Sequence, residues 1–246
     1  MADVLDSTLM QNNFGTAEVR AIWTDKNKIA KQLQVEAVLS KVEGQLGVIP
    51  AAAAQKIVEQ AKLENFDIEA LAKESAQKRH SLIGLINHLQ KLAGSQAGEY
   101  VHFGATTQDI VDTGIVLQTK EAYQIIVADS KKLITVLKKQ ARNYRSTVMI
   151  GRTHGIQAIP ITFGYKLAVW LDEALRNHQR LVKLAENGVD GVFVGNLNGA
   201  VGTYAAFGEK GPEIERLALK ELDLNVPDIC WQSSRDRFSE FAAVLG

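Results

Sequence analysis

DIVDTGIVLQTKEAYQIIVADSKKLITVLKKQARNY, residues 109–144, is the segment from which the architecture can be read. Apolar side chains recur in it at spacings of three and four, the period of one helix face: Ile115, Val116, Val127, Leu133, Val136, Leu137 and Ala141. No proline interrupts the segment. The pattern predicts a helix of roughly 35 residues, against a mean of about 11–12 for globular helices. Such a helix needs long partners, as in a bundle whose core is shared between subunits.

Four other segments carry helical periodicity. Residues 162–187 predict a second long helix, and residues 29–46 predict a shorter one with a clear apolar face. Residues 67–94 predict a single helix with Asp67 as its N-cap. Residues 235–245 read as a helix still in progress, so we expect the chain to be a fragment of a longer polypeptide.

The fold class is therefore predicted to be all-α. Alternation at period two is rare, although Val189–Val194 could form a short strand. The glycine-containing loop His102–Ala105 separates the shorter helices from the long ones. We expect a smaller N-terminal helical domain, residues 1–107, followed by the first part of a central long-helix bundle, residues 108–246, which is truncated.

Composition excludes several classes of partner. The 28 basic residues cancel the 28 acidic ones, so no net field draws the chain to nucleic acid or anionic lipid. Cys230 is the only cysteine, which fits a reducing compartment. Residues 1–13 are polar, unlike a secretory signal, and no apolar run approaches the roughly 18 residues that cross a bilayer. We expect a cytoplasmic protein with no membrane or nucleic-acid partner.

Common cofactor and metal motifs are missing from the sequence. It contains no HExxH and no CxxC pair, which leaves a zinc site without support. The glycine-rich stretch Gly195–Gly202 lacks the Lys-Ser/Thr of a phosphate-binding P-loop and the βαβ setting of a dinucleotide site. No Gly-x-Ser-x-Gly elbow occurs. The motifs therefore give no support to a zinc, P-loop or dinucleotide site.

A polar cluster at residues 102–109 lies just before the long helix. Thr106 and Thr107 provide two hydroxyls beside the first free backbone N–H groups of that helix. Hydroxyls, free N–H groups and the helix dipole together favour a carboxylate or phosphate. The alternative is that one threonine simply caps the helix, with Asp109 complementing its N-terminus. Spacing alone leaves both interpretations open.

Two more polar clusters interrupt the helical pattern. In residues 151–158, His154 lies between small residues, and histidine can exchange a proton near neutral pH. A polar loop histidine with no catalytic task explains the same pattern equally well. The cluster at residues 78–81 contains His80, which, like His102, is a weaker candidate on its own. His88 and His178 lie in helical runs and are predicted to be surface residues.

At these clusters the chain resembles the fumarase/aspartase superfamily, and most closely its adenylosuccinate lyase branch. The matching stretches follow family order along nearly the whole chain: Ile22–Asp25, Leu46–Pro50, Arg79–His80, Val101–Thr113, Gly151–Gly155, Pro160–Gly164, Gly199–Tyr204 and Arg235–Arg237. One such motif would be weak support, whereas the ordered set is specific.

The resemblance implies a β-elimination that releases fumarate by breaking a C–N bond, without metal or organic cofactor. In this family the substrate is a small dicarboxylate compound, such as adenylosuccinate in purine nucleotide biosynthesis. Family members are homotetramers whose active sites collect residues from three subunits. The resemblance also implies that the catalytic base is a serine on a loop that would lie beyond Gly246. The chain alone is therefore expected to be inactive.

The same resemblance assigns roles to individual residues. His154 matches the general acid, and Thr153 beside it is expected to bind substrate. The remaining substrate-binding candidates are a triplet, a threonine pair and a histidine near the substrate's phosphate: Arg79, His80 and Ser81; Thr106 and Thr107; and His102. All of these groups are expected to gather in one pocket for a dicarboxylate.

Several residues depart from the adenylosuccinate lyase pattern. Ser81 replaces the acid of the usual Arg-His-Asp triplet, and Phe238 stands where histidine is usual. Trp231 and Phe238–Phe241 look more like the 3-carboxy-cis,cis-muconate cycloisomerase branch, although His154 favours lyase chemistry. The alternatives are therefore a cycloisomerase-like enzyme of the same fold and a non-catalytic helical scaffold.

Overall fold

The computed structural model describes residues 7–186 and 188–246. Within these ranges the chain forms ten α-helices and two strands. The helices are α1 Gln11–Phe14, α2 Ala17–Ile22, α3 Asp25–Gln45, α4 Ala51–Gln60, α5 Ile68–Lys78, α6 Ile83–Gly98, α7 Thr107–Asn143, α8 Phe163–Glu186, α9 Gly211–Glu221 and α10 Asp236–Leu245. The strands are β1 Val148–Thr153 and β2 Ile156–Thr162, and short 3-10 turns lie at Leu63–Asn65, Gly188–Asp190, Ala200–Gly202 and Gly208–Lys210.

The predicted long helices are confirmed. Helix α7 has 37 residues and α8 has 24. The predicted end of the second helix, Asn187, lies outside the described residues, as do the first six residues of the polar N-terminus. All helices in the described ranges are too short or too polar to cross a bilayer.

The single helix predicted for residues 67–94 is two helices. Asp67 is the expected N-cap, since its carboxylate accepts from the N–H groups of Glu69 and Ala70. The helix ends at Arg79, whose φ of 52° is left-handed, and α6 begins four residues later. The prediction was wrong because a charged residue, rather than glycine, adopts the left-handed conformation that ends the helix.

Two other local features also differ from the sequence pattern. Strands β1 and β2 form an antiparallel hairpin between the two long helices, which the pattern did not predict. Val189–Val194 is not a strand: a 3-10 turn begins it, and only Val194 forms an isolated bridge, to Asn225. Neither segment has strict period-two alternation, which explains why pattern alone misassigned both.

Helix α3 lies in the centre of the fold and packs against α4, α7 and α9. One apolar core extends from Leu33 on α3 to Phe241 on α10 and includes residues on both sides of position 107. The division into domains 1–107 and 108–246 therefore stays a prediction. The core supports the first half of α7, because after Ala122 only Leu137 of that helix is buried.

The second half of α7 packs against α8 in antiparallel fashion. Ser130 contacts His178, whereas Ala141, nearer the end of α7, contacts Gly164 at the start of α8. The β1–β2 hairpin joins the two helices at this end. A helix rises about 1.5 Å per residue, so the hairpin and the N-terminus of α7 lie at opposite ends of a rod roughly 55 Å long.

Candidate active site

The N-terminus of α7 is held by a buried carboxylate. Thr106 is the N-cap, and its backbone N–H donates to Asp109 Oδ2 at 3.0 Å. Asp109 is fully buried and accepts four more bonds, from Asn196 Nδ2, Asn198 N, Gly199 N and Gln232 Nε2. Burial raises the pKa of Asp109, and these donors oppose the rise. One carboxylate therefore fixes the helix start and the loop after residue 195.

A second buried acid fixes the same loop from α9. Glu215 Oε1 accepts from Leu197 N and from Asn198 Nδ2, at 3.0 and 2.9 Å. Its Oε2 accepts from the Tyr204 hydroxyl at 2.5 Å. Burial raises the pKa of both Glu215 and Tyr204. The glycine-rich stretch Gly195–Gly202 is thus a scaffold for the start of α7.

His80 and Thr107 meet beside this helix start. His80 Nδ1 accepts from the backbone N–H groups of Leu82 and Ile83, at 3.3 and 3.2 Å. A neutral imidazole that accepts at Nδ1 carries its proton on Nε2. His80 Nε2 therefore donates to Thr107 Oγ1, 3.3 Å away. The Thr107 hydroxyl then keeps its own hydrogen for an anion, where the free N–H groups and the helix dipole also favour negative charge.

The other members of the predicted triplet lie apart from this contact. Arg79 is exposed, and Ser81 is exposed too. Ser81 lines a cavity of about 300 Å³ between α3 and α5, together with Gln32 and Leu71. Of the triplet, only His80 is in hydrogen-bond contact with the threonine pair.

His102 lies in the loop that leads to α7 and contacts an acid from α3. Its Nδ1 is 2.6 Å from Glu36 Oε1, and the Glu36 side chain is completely buried. Burial lowers the pKa of His102, yet Glu36, and to a smaller extent Asp109, raise it above its usual range. His102 also has left-handed backbone, with φ 63°. The geometry therefore places a histidine, paired with a buried acid, close to the helix start.

An ion pair lies one turn further along α7. Arg235 Nη1 is 3.0 Å from Asp112 Oδ2, and the Asp112 side chain is almost fully buried. Gln108 Nε2 donates to the same carboxylate at 3.2 Å. Arg235 belongs to the family-like stretch Arg235–Arg237, so the end of the chain returns to the helix start.

His154 lies elsewhere in the chain. It occupies the two-residue turn of the hairpin with Gly155, and both have positive φ, 47° and 72°, as a type I′ turn requires. His154 and Thr153 are exposed, and His154 makes no hydrogen bond to any described residue. Because the hairpin is at the far end of α7, a single chain does not bring His154 to Thr107.

The predicted surface histidines are both partly buried and paired. His88 Nε2 is 3.2 Å from Glu74, and His178 Nδ1 is 2.7 Å from the Ser130 hydroxyl. Neither lies at the start of α7.

Sequence reasoning missed Glu36. The available signal was an acid in a helix rich in apolar residues, seven residues before Glu43, which is also buried. Buried acids without partners are rare, so such a position predicts a contact with a base or a donor elsewhere in the chain.

Two long antiparallel helices, with His80, His102 and Thr107 near one end and His154 exposed on a hairpin at the other, define a long-helix bundle fold. A family profile described as "Lyase" matches residues 12–246. The chain belongs to this lyase family of the fumarase/aspartase superfamily.

Three similar proteins illustrate the family. The N-acetyl-S-(2-succino)cysteine lyase of Enterococcus italicus is 56% identical over 99% of this chain and 52% of its own length. The adenylosuccinate lyase of Pyrococcus horikoshii is 42% identical over 94% of this chain and 51% of its own. The crystal structure of the 3-carboxy-cis,cis-muconate lactonizing enzyme from Pseudomonas putida has a TM-score of 0.92 at 36% identity, covering 97% of this chain and 54% of that one. The chain spans about half the length of the curated relatives it matches.

Proposed function

We propose that the polypeptide containing this chain releases fumarate from an S-succinylated cysteine derivative by breaking a C–S bond. The 56% identity to the N-acetyl-S-(2-succino)cysteine lyase of E. italicus is the observation that carries this proposal. It exceeds the 42% identity to the adenylosuccinate lyase of P. horikoshii. Ser81 and Phe238, which depart from the adenylosuccinate lyase pattern, support the same choice. The substrate we expected from sequence, adenylosuccinate, becomes the second candidate.

The chemistry is a β-elimination from a succinyl thioether. A base removes a proton from the carbon next to one carboxylate, and the electron pair left there forms the double bond of fumarate. The C–S bond breaks, its electron pair stays on sulfur, and an acid protonates the thiolate. The products are fumarate and a free thiol. Negative charge grows on the carboxylate during proton removal, so donors already in position contribute most to catalysis.

The start of α7 supplies such donors. We assign the substrate carboxylate to the Thr106 and Thr107 hydroxyls and the free N–H groups of the first turn, with the Thr107 hydroxyl oriented by His80. These groups are held by the buried Asp109 and change little as charge develops. The base is expected from chain beyond Gly246, as the resemblance implies.

We assign the general acid to His154 of another copy of the chain. Its hairpin presents Val148 and Ile159, each 73% exposed, and the adjoining face of α8 presents Trp170, 50% exposed. Exposed apolar surface of this extent favours burial against other helices. A homotetramer, as the resemblance implies, would cover this surface and carry His154 of one copy to Thr107 of another.

The substrate is tested with the enzyme expressed from the whole reading frame. N-acetyl-S-(2-succino)cysteine and adenylosuccinate are supplied separately, with fumarate followed by ultraviolet absorbance and thiol by a thiol reagent. We expect equimolar fumarate and thiol from the first substrate. Fumarate from adenylosuccinate alone would replace the C–S proposal by the C–N one. No fumarate from either would reject both.

His154→Ala tests the assignment of the acid. We expect kcat to fall about 10²–10⁴-fold, the usual contribution of a general acid. His88→Ala is the matched control, because His88 pairs with Glu74 far from the hairpin turn. Co-assembly of His154→Ala with Thr107→Val should restore part of the activity, since some sites would receive both intact residues. Equal rates for His154→Ala and wild type would remove His154 from the mechanism.

A further inference from the structure

Helix α3 carries two buried acids on one face. Glu36, Ser40 and Glu43 are spaced by four and three residues, so their side chains lie along one side of the helix. All three are fully buried. Glu36 Oε2, the Ser40 hydroxyl and both oxygens of Glu43 lack a hydrogen-bond partner among the described residues. A structural core alone gives no reason to keep two acids there, because burying an unpaired acid costs free energy.

The two acids differ in their contacts. Glu36 meets His102 at 2.6 Å across 66 residues of sequence. Glu43 has no such partner in the described ranges, and burial, followed by the charge of Glu36, raises its pKa to about 9. Glu43 is therefore neutral at pH 7, whereas Glu36 faces a group able to carry positive charge. The same helix face thus offers a matched control for any change made at Glu36.

Of the two ring nitrogens of His102, one forms a hydrogen bond and the other does not. Its Nδ1–H donates to Glu36, while Nε2 has no partner in the described ranges and is not among the buried unpaired atoms. The charged groups that act on His102 are Glu36 from α3 and Asp109 from α7. Both are acids. If the ring is protonated, Nε2–H is a charged donor; if neutral, Nε2 is an acceptor that repels an anion.

We propose that Glu36 is a positioning residue, which orients the His102 ring and keeps it cationic so that Nε2–H can bind an anionic group of the substrate. The proposal rests on the proposed function only for the identity of that anion. A merely structural role, in which the pair holds loop 101–105 on α3, would need the hydrogen bond but not the charge.

Titration of the imidazoles by NMR tests the charge directly in this chain. The sequence has five histidines, and His102→Asn identifies the signal of interest. Glu36→Gln keeps the shape and an acceptor oxygen but removes the charge, and should lower the pKa of His102 by about 1–3 pH units. Glu43→Gln, the same change on the same buried face, should leave it unchanged. A His102 pKa that is the same in Glu36→Gln and in the wild type would overturn the proposal.

Kinetics of the whole enzyme test the consequence. The imidazolium exists below its pKa, so KM should rise as pH climbs through that value, and in Glu36→Gln the rise should begin at lower pH. At a pH between the His102 pKa of the variant and that of the wild type, KM of the variant should exceed KM of the wild type. The ratio should reach up to about tenfold for each pH unit between the two pKa values, with kcat little changed. Glu36→Asp should restore part of the wild-type profile.

A Glu36→Gln profile identical to wild type would overturn the positioning role. An inactive wild type would instead reject the proposed function and leave the NMR result standing.

Discussion

The two ends of α7 differ in how far their polar side chains are buried and hydrogen-bonded. At its N-terminus, Asp109 accepts five N–H donors and is fully buried, and His80, Thr107 and His102 all have partners from the same chain. At the other end, the hairpin displays His154 and apolar side chains to solvent. A single chain therefore positions the groups at the helix start but does not bring His154 to them.

The difference between the two ends of α7 predicts that mutations at one end affect stability more than mutations at the other. Changes at Asp109 should weaken the fold itself, because its carboxylate is buried and accepts several hydrogen bonds. Changes at the exposed hairpin should lower the free energy of unfolding by about 1 kcal/mol or less.

Asp109→Ala should have the largest effect on stability. It removes the acceptor of five N–H groups, three of them in buried bonds, and we expect the free energy of unfolding to fall by about 3–5 kcal/mol. Urea unfolding at constant m-value measures it. Asp129→Ala on the same helix is the control, since Asp129 pairs with Lys132 on the surface and should matter by less than about 0.5 kcal/mol. Similar losses in the two variants would contradict the contrast.

Glu43→Gln should make the unfolding free energy less dependent on pH. The folded pKa of Glu43 is about 9 against an ordinary 4.5, so its favourable contribution is complete below 4.5 and is lost as pH rises towards 9. The wild type should therefore lose stability relative to the variant by at most about 1.4 kcal/mol per pH unit within that window. Urea unfolding between about pH 6 and pH 8 measures the difference, which should reach at most ~3 kcal/mol. Glu59→Gln, on the exposed side of α4, should run parallel to wild type; parallel curves for Glu43→Gln as well would refute the prediction.

Gly155→Ala should have the smallest effect of the three. An added Cβ meets nothing within 4 Å, so the cost comes only from the left-handed backbone at φ 72°, about 1 kcal/mol. The thermal midpoint of unfolding measures it. His154→Ala in the same turn should change stability by less than about 0.5 kcal/mol in the single chain. A larger loss for His154→Ala would show that the imidazole already has a structural partner.

The long helices could be predicted from sequence because their periodicity extends over many turns. The break between α5 and α6 could not, since Arg79 rather than glycine takes the left-handed conformation. The hairpin was missed because its turn is His154–Gly155 instead of the Asn-Gly or Asp-Gly pair that usually signals one.

The candidate site was predictable only where its parts are close in sequence. Thr106 and Thr107 could be located from sequence because they stand at the start of a helix whose apolar period is clear. Thr106 is the N-cap of that helix, as the alternative interpretation predicted. The Glu36–His102 contact depends on how α3 packs against a loop 66 residues away. The role proposed for His154 requires a second copy of the chain, which no local pattern encodes.

Three of the candidate residues, Arg79, His102 and His154, share left-handed backbone that costs a non-glycine residue about 1–2 kcal/mol. A saturation library selected only for soluble expression should therefore enrich glycine and asparagine at all three positions. Selection for turnover should instead enrich the residues present now, Arg79, His102 and His154. The divergence between the two enrichment maps would separate positions whose side chains serve turnover from positions that serve folding alone.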